Sequence, residues 1–223
     1  MLHLSRFQQH HITLSADCEY TCLGCDHKQV KNKPNLPEKT RPGDFVNIYG
    51  GGIHRSDQLI HILNECHARK LNVRLYGNHH LLTLDRLILN AVNELLVWCP
   101  SADPERFNFM VSEPLFSEFK DTLISQSLPN MTLVHFVRPL GFELLPEFYD
   151  LCVDMGTQGL ILYLPSEFNR EERRYIKRFK RVPGMRVLKQ KKQTAHQCYA
   201  VPNGINGFGF EFFEWQVAIR QSV

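Results

Sequence analysis

An α/β fold of mainly parallel strands is predicted by two features of the sequence. Short runs rich in β-branched and aromatic residues alternate with longer stretches of helical period, the pattern of strand, helix, strand units. The 223 residues are also 43% hydrophobic, enough to bury one large core. A main domain at 1–190 with a short β extension at 191–223 is expected. No internal repeat and no low-complexity segment interrupts the alternation.

The strands are expected at His11–Ala16, Phe45–Tyr49, Asn72–Gly77, Glu94–Cys99, Met131–Val137 and Gln158–Leu164, with a seventh candidate at Met185–Lys189. Between them, Ser56–Leu71 sets Leu59, Ile60, Ile62, Leu63 and Cys66 largely on one helical face behind Ser56 as N-cap. Thr83–Val92 repeats the arrangement, with Thr83 as cap and Leu84, Leu87, Ile88 and Ala91 inward. Asp103–Gln126 holds one or two helices interrupted at Pro114, and Leu144–Met155 and Asn169–Phe179 follow the next two strands. Periodicity does not separate a partial barrel from an open doubly wound sheet. Asp26–Asp44 breaks the rhythm. It carries Pro34, Pro37, Pro42, Gly43 and five Lys or Arg residues without an apolar period, and reads as a loop or lid rather than a helix.

Charge and cysteine content narrow the classes of function. With 26 Lys and Arg against 23 Asp and Glu, the formal charge is +3, too balanced for a chain that coats nucleic acid along its length. Any basic surface is local, and Arg170–Gln193 supplies one: eleven Lys or Arg against Glu171 and Glu172, a footprint for RNA or an acidic protein partner, or else a solvated helix face. No run is long enough to span a membrane and Met1–Gln9 lacks a secretory core, so a cytoplasmic protein is expected. Seven cysteines are too few and too odd in number for a disulfide scaffold, which leaves thiols for metal or chemistry.

The strongest chemical signal is Cys18-Glu19-Tyr20-Thr21-Cys22-Leu23-Gly24-Cys25, a C-x3-C-x2-C spacing just beyond the first strand. One short loop can wrap three thiolates around a single centre, and soft sulfur suits an iron-sulfur cluster or zinc. Three thiolates on a four-iron cluster leave one iron open to substrate or cofactor. Structural zinc with His27 or another residue as fourth ligand is the alternative, ahead of three buried cysteines without metal.

These residues resemble the radical S-adenosylmethionine (SAM) superfamily, in which three cysteines after the first strand hold a 4Fe-4S cluster. The likeness runs over roughly residues 10–165. Phe45-Val46-Asn47-Ile48-Tyr49-Gly50-Gly51-Gly52 matches the second strand and its glycine-glycine-glutamate turn, Leu75-Tyr76-Gly77-Asn78 the polar turn after the third, and Trp98-Cys99-Pro100-Ser101 the serine turn after the fourth. The resemblance implies a partial (β/α)6 TIM-like barrel with Cys18, Cys22 and Cys25 as cluster ligands. It implies that Gly50, Gly51 and Gly52 shape the amino-acid end of SAM, with Asn78 and Ser101 at its carboxylate or ribose. The implied reaction is oxygen-sensitive: the cluster, reduced by a donor such as a flavodoxin or ferredoxin, cleaves SAM, and a 5'-deoxyadenosyl radical abstracts hydrogen from an unknown small-molecule, peptide or RNA substrate. Gly52 stands where the family has its acid, with Asp17 and Asp57 as nearby substitutes. Gly24 stands where an aromatic is frequent, although small activating enzymes of the family carry glycine there. The departures leave room for a non-catalytic descendant that binds metal or a partner, and for a zinc-stabilised RNA-binding protein.

Several other residues carry weaker expectations. Cys99 at a strand end is a candidate to face the pocket, whereas Cys66 and Cys152 on helical faces read as core, and Cys198 has no partner spacing. His54, His79 and His80 follow the second and third strands at one end of the sheet, as substrate-binding or solvated loop residues. Tyr49 and Tyr76 end neighbouring strands, as pocket wall or core. Phe208–Trp215 reads as a final strand or hairpin at the barrel's edge.

Overall fold

The computed structural model describes residues 7–14, 35–50, 52–126, 128–136, 145–155, 159–164, 170, 174 and 185–189. Seven strands, β1 (Gln9–Thr13), β2 (Phe45–Tyr49), β3 (Asn72–Gly77), β4 (Glu94–Trp98), β5 (Met131–Phe136), β6 (Gly159–Leu164) and β7 (Met185–Lys189), form one sheet in the order β1-β2-β3-β4-β5-β6-β7, and every pair is parallel. The order never reverses. A doubly wound sheet needs a reversal, and that alternative is excluded. Right-handed crossovers repeated in one direction put all helices on one face, and the other face escapes water only by curling, which makes a partial TIM-like barrel with β1 and β7 at its edges. The seventh strand extends the expected six. The expected extension at 191–223, including Phe208–Trp215 and Cys198, lies outside the described residues.

Register separates the two faces. Ile12, Ile48, Leu75, Leu95 and Met131 pair in one ladder. They share a buried core with α1 (Asp57–Ala68), α2 (Arg86–Ala91), α3 (Pro104–Val111), α4 (Phe116–Ser125) and α5 (Leu145–Asp154), through Ile62, Leu89, Phe107, Phe119 and Phe148. The intervening ladders turn the other way, inward: Thr13, Tyr49, Tyr76, Leu96 and Thr132 in one, His11, Asn47, Arg74 and Glu94 in the next. The buried Tyr49, Leu96, Val134 and Ile161 of this concave face stand apart from the helix-side core.

A carboxylate ties the amino-terminal ends of β1–β3. Asp44 is buried, and its side chain accepts the backbone N–H groups of Gln8 and Arg41, both at 2.8 Å, with His10 Nε2 at 3.3 Å. Its own carbonyl accepts Asn72 N–H at 2.8 Å. Burial alone would raise the Asp44 pKa, yet these donors hold it below the usual value. The preceding turn needs Gly43, whose φ is +90° and where a Cβ would lie 2.5 Å from the Phe7 ring.

The helices follow the expectation in place and depart from it in phase. Ser56 occupies the N-cap of α1 without a side-chain cap bond. Leu59, Ile62 and Cys66 are buried, while Ile60 is exposed. Thr83 is not a cap: its hydroxyl donates to His80 O at 2.8 Å and closes a 3-10 turn at His79–Thr83. Asp85 caps α2 instead, accepting Leu87 N–H at 2.7 Å. That restart rotates the helix, so Leu89 is buried, Leu87 is 80% exposed, and the expected inward face of Leu87 and Ala91 is corrected. Pro114 lies between α3 and α4, where Ser112 adopts left-handed φ +60°. Phe107, Phe116 and Phe119 pack these helices together at ring separations of 4.9–6.3 Å. Residues 35–44 contain no helix, in keeping with the loop expected there.

Because the phase of α2 is set by Asp85, Leu89→Ala should cost about 2–5 kcal/mol while Leu87→Ala stays within about 0.5 kcal/mol of the parent in urea unfolding. Equal losses would contradict the observed face.

Candidate functional site

The carboxyl ends of β2, β3 and β4 lie side by side along one edge of the sheet, where ligands bind in barrels of this kind. Gly50 follows β2, Asn78 follows β3 and Ser101 follows β4, so the tertiary structure brings these three expected residues to one edge. Cys18, Cys22, Cys25 and Gly51 lie outside the described residues, as does the acid candidate Asp17. The other, Asp57, is exposed in the first turn of α1.

The turns are held by backbone and by their own side chains. Gly50 N–H donates to Tyr76 O at 3.3 Å, and a Cβ on Gly77 would sit 3.1 Å from Gly50 O and 3.0 Å from Leu81, so glycine there lets β2 and β3 close on each other. Gly52 is buried and accepts Arg55 N–H at 3.0 Å to open the 3-10 turn Ile53–Arg55. Asn78, 3% exposed, accepts His80 N–H on its side chain at 3.2 Å. Ser101, 2% exposed, accepts Asp103 N–H on Oγ at 3.1 Å, and Asp103 in turn caps α3 by accepting Arg106 N–H at 2.8 Å. Asn78 and Ser101 thus each shape a turn at the edge.

The concave face beside these turns carries an aromatic ladder. Tyr49 and Tyr76 stack at 4.5 Å between ring centroids, His11 stacks on Tyr49 at 5.8 Å, and His11 Nδ1 is hydrogen-bonded to the Tyr49 hydroxyl at 3.0 Å. Burial, aided by the charge of His10, lowers the His11 pKa to about 4, so the imidazole is neutral at physiological pH. Deeper along the same face Arg74 Nε meets Glu94 Oε2 at 3.0 Å, and the guanidinium lies 4.0 Å from the Phe45 ring centroid. Asn47 donates to His10 O at 3.3 Å. Tyr49 and Tyr76 are therefore wall residues of the concave face. His11 was not among the expected site residues. Its signal was the alternation of polar residues through Gln9, His11, Thr13 and Asn47, Tyr49 in strands covered on both sides.

The opposite parity removes Cys99 from this face. Cys99 is fully buried in the helix-side core, its Sγ donates to Ser101 O at 3.3 Å, and burial pushes its thiol pKa well up. Burial likewise raises Cys66 to about 11, and Cys66 and Cys152 are core thiols as expected. His135 also lies on the helix side, its ring 3.8 Å from that of Phe148 and its Nδ1 donating to Cys99 O at 3.0 Å. His54, His79 and His80 come together, but His79 is buried, paired through Nε2 with Glu118 at 3.2 Å rather than solvated. Of the basic segment, Arg170 and Arg174 are exposed, and Arg186 and Lys189 lie in β7. Among the described residues no helix is long and apolar enough to cross a membrane.

The unfolded His11 imidazole titrates near 6.5 and the folded one near 4, so between these values the unfolded chain binds a proton that the folded chain does not. The stability from the neutral imidazole is complete above about 6.5 and declines as pH falls toward 4. Urea unfolding of the parent and His11→Gln should show a stability difference that narrows over this window, and the His11 ring resonance should titrate near 4. A difference independent of pH would count against the assignment.

No protein-family profile and no curated protein matches the sequence. Solved structures do match in fold. Streptococcus suis SuiB bound to S-adenosylmethionine superposes with a TM-score of 0.57 at 14% identity, over 83% of this chain and 48% of SuiB. SuiB bound to precursor peptide SuiA superposes at 0.58 with 11% identity, over 82% and 49% of the two chains. A further SuiB structure gives 0.58 with 13% identity, over 83% and 50%. The chain spans about half the length of SuiB and shares its fold across most of its own.

Proposed function

We propose that this chain is a radical SAM enzyme in which Cys18, Cys22 and Cys25 hold a 4Fe-4S cluster at the carboxyl edge of the sheet. The observation that carries the reading is the C-x3-C-x2-C triplet placed directly after β1 of a singly wound parallel sheet. Leu14 N–H donates to Tyr49 O at 2.9 Å, so the chain leaves β1 next to the Gly50 turn. Cys18 lies four positions after Leu14, a span of at most about 14 Å. The fold shared with SuiB, which is crystallised with S-adenosylmethionine, supports the same reading.

The donor chemistry fits a cluster, because three closely spaced thiolates match the soft ligands iron-sulfur centres take. The edge fits SAM in part. In this reading Gly50, Gly51 and Gly52 are assigned to its amino-acid end and Asn78 and Ser101 to its carboxylate or ribose, because Gly50, Asn78 and Ser101 follow neighbouring strands. When bound, cluster and SAM supply reductive cleavage of the sulfonium carbon–sulfur bond and a carbon-centred oxidant for hydrogen abstraction. This chain's own residues exclude water and present the substrate: Tyr49 and Tyr76 wall the concave face, and neutral His11 holds the Tyr49 hydroxyl in place. A peptide is the substrate class we favour, because SuiB of this fold is also crystallised with a precursor peptide. An electron donor such as a flavodoxin or ferredoxin belongs to the same reading.

Gly52, where the family carries an acid, favours a second reading, a descendant that holds the cluster and a partner without cleaving SAM. Anaerobic reconstitution with iron and sulfide, followed by a strong reductant and SAM, tests both. Methionine and 5'-deoxyadenosine should accumulate, and alanine at any one of Cys18, Cys22 or Cys25 should abolish both the brown absorbance and the products. A full cluster with intact SAM would select the second reading, and zinc without iron would overturn both.

A further inference from the structure

We infer that His79, His80 and Glu118 form a site for a divalent zinc-type ion, distinct from the cysteine triplet. His79 and His80 open the 3-10 turn after β3, and Glu118 lies in the first turn of α4. The fold brings these distant segments together on the helix side of the sheet edge. His79 Nε2 lies 3.2 Å from Glu118 Oε1, the His79 and His80 rings are 4.2 Å apart, and one donor atom from each of the three residues lies within 4.8 Å of the others.

That spacing is close to a ligand set. Tetrahedral zinc with bonds of about 2.0–2.2 Å holds its ligand atoms roughly 3.4 Å apart. The His79–Glu118 pair is already at that distance, and a small rotation of His80 or of the Glu118 carboxylate brings in the third donor. His79 is the fixed member, 1% exposed with its ring packed edge-on against Phe119 at 5.8 Å. Glu118 is the adjustable one, its side chain 55% exposed. Two imidazoles and a carboxylate are donors zinc accepts readily, and three protein ligands leave a fourth position for water on the exposed side. The ring of His54, from the turn after β2, flanks His80 at 5.4 Å. An ion here would clamp the Asn78 turn to α4 and stabilise the folded chain by binding it selectively.

Zinc titration against a chromogenic chelator tests the site in the full chain with its cluster assembled, and in the full-length variant carrying Cys18→Ser, Cys22→Ser and Cys25→Ser, where the thiolates of the triplet no longer compete. Each should take up one zinc per chain. Glu118→Gln and His80→Ala should each weaken binding by about tenfold or more. Cobalt in the serine variant should give ligand-field bands without a thiolate charge-transfer band. Zinc should raise the melting temperature of the parent more than that of Glu118→Gln at the same concentration. Should the serine variant fail to fold, the cluster-loaded parent and Glu118→Gln decide the question. No uptake by a folded serine variant, or affinity unchanged by both substitutions, would overturn the site. Neither result depends on whether SAM is cleaved.

Discussion

Every strand pairs with its successor on the same side, and this unreversed order is the constraint on which the other features rest. Crossovers of one hand then cover one face of the sheet with helices and leave the other for the sheet itself to enclose. Curling satisfies that demand. It also gathers the ends of β2, β3 and β4 at one edge, which is why Gly50, Asn78 and Ser101 become neighbours although 51 positions separate the first from the last.

The two faces solve different problems. The helix side is mostly apolar from Ile12 to Leu162, with His79 and His135 as buried polar members, and gains stability by burial in the ordinary way. The concave side buries Asn47, Arg74 and Thr132 together with Tyr49. Buried polar groups cost free energy unless hydrogen-bonded, and a largely buried ion pair such as Arg74–Glu94 returns little net stability for the desolvation it requires. A face filled for stability alone would carry leucine and valine at these positions. Its polarity, adjoining the edge where the glycine turn lies, is the property expected of a binding surface, and it accords with the SAM and substrate roles proposed above.

Strand positions were legible because β-branched runs bounded by turn residues carry a strong local signal; β2 and β3 coincide with expectation residue for residue. Helix phase was less legible. Thr83 and Asp85 are both able to cap, and only the packing of Leu81 and Leu82 beneath the 3-10 turn makes the helix begin after Asp85. Cys99 shows a similar limit. Its place at a strand end was readable, but whether it meets the pocket or the helices depends on register parity, which Val97 paired with Leu133 decides. The pairing of His79 with Glu118, 39 residues apart, left no trace in local spacing.

The sequence by itself determined the succession of strands and helices, the C-x3-C-x2-C triplet and the glycine turn, because each is written in residues a few positions apart. The tertiary structure alone decided the strand order, which face of each strand turns inward, and the meeting of His11 with Tyr49 and of His79 with Glu118. Those depend on pairing between distant segments, where the choice is made by the burial of whole faces rather than by any residue's local preference.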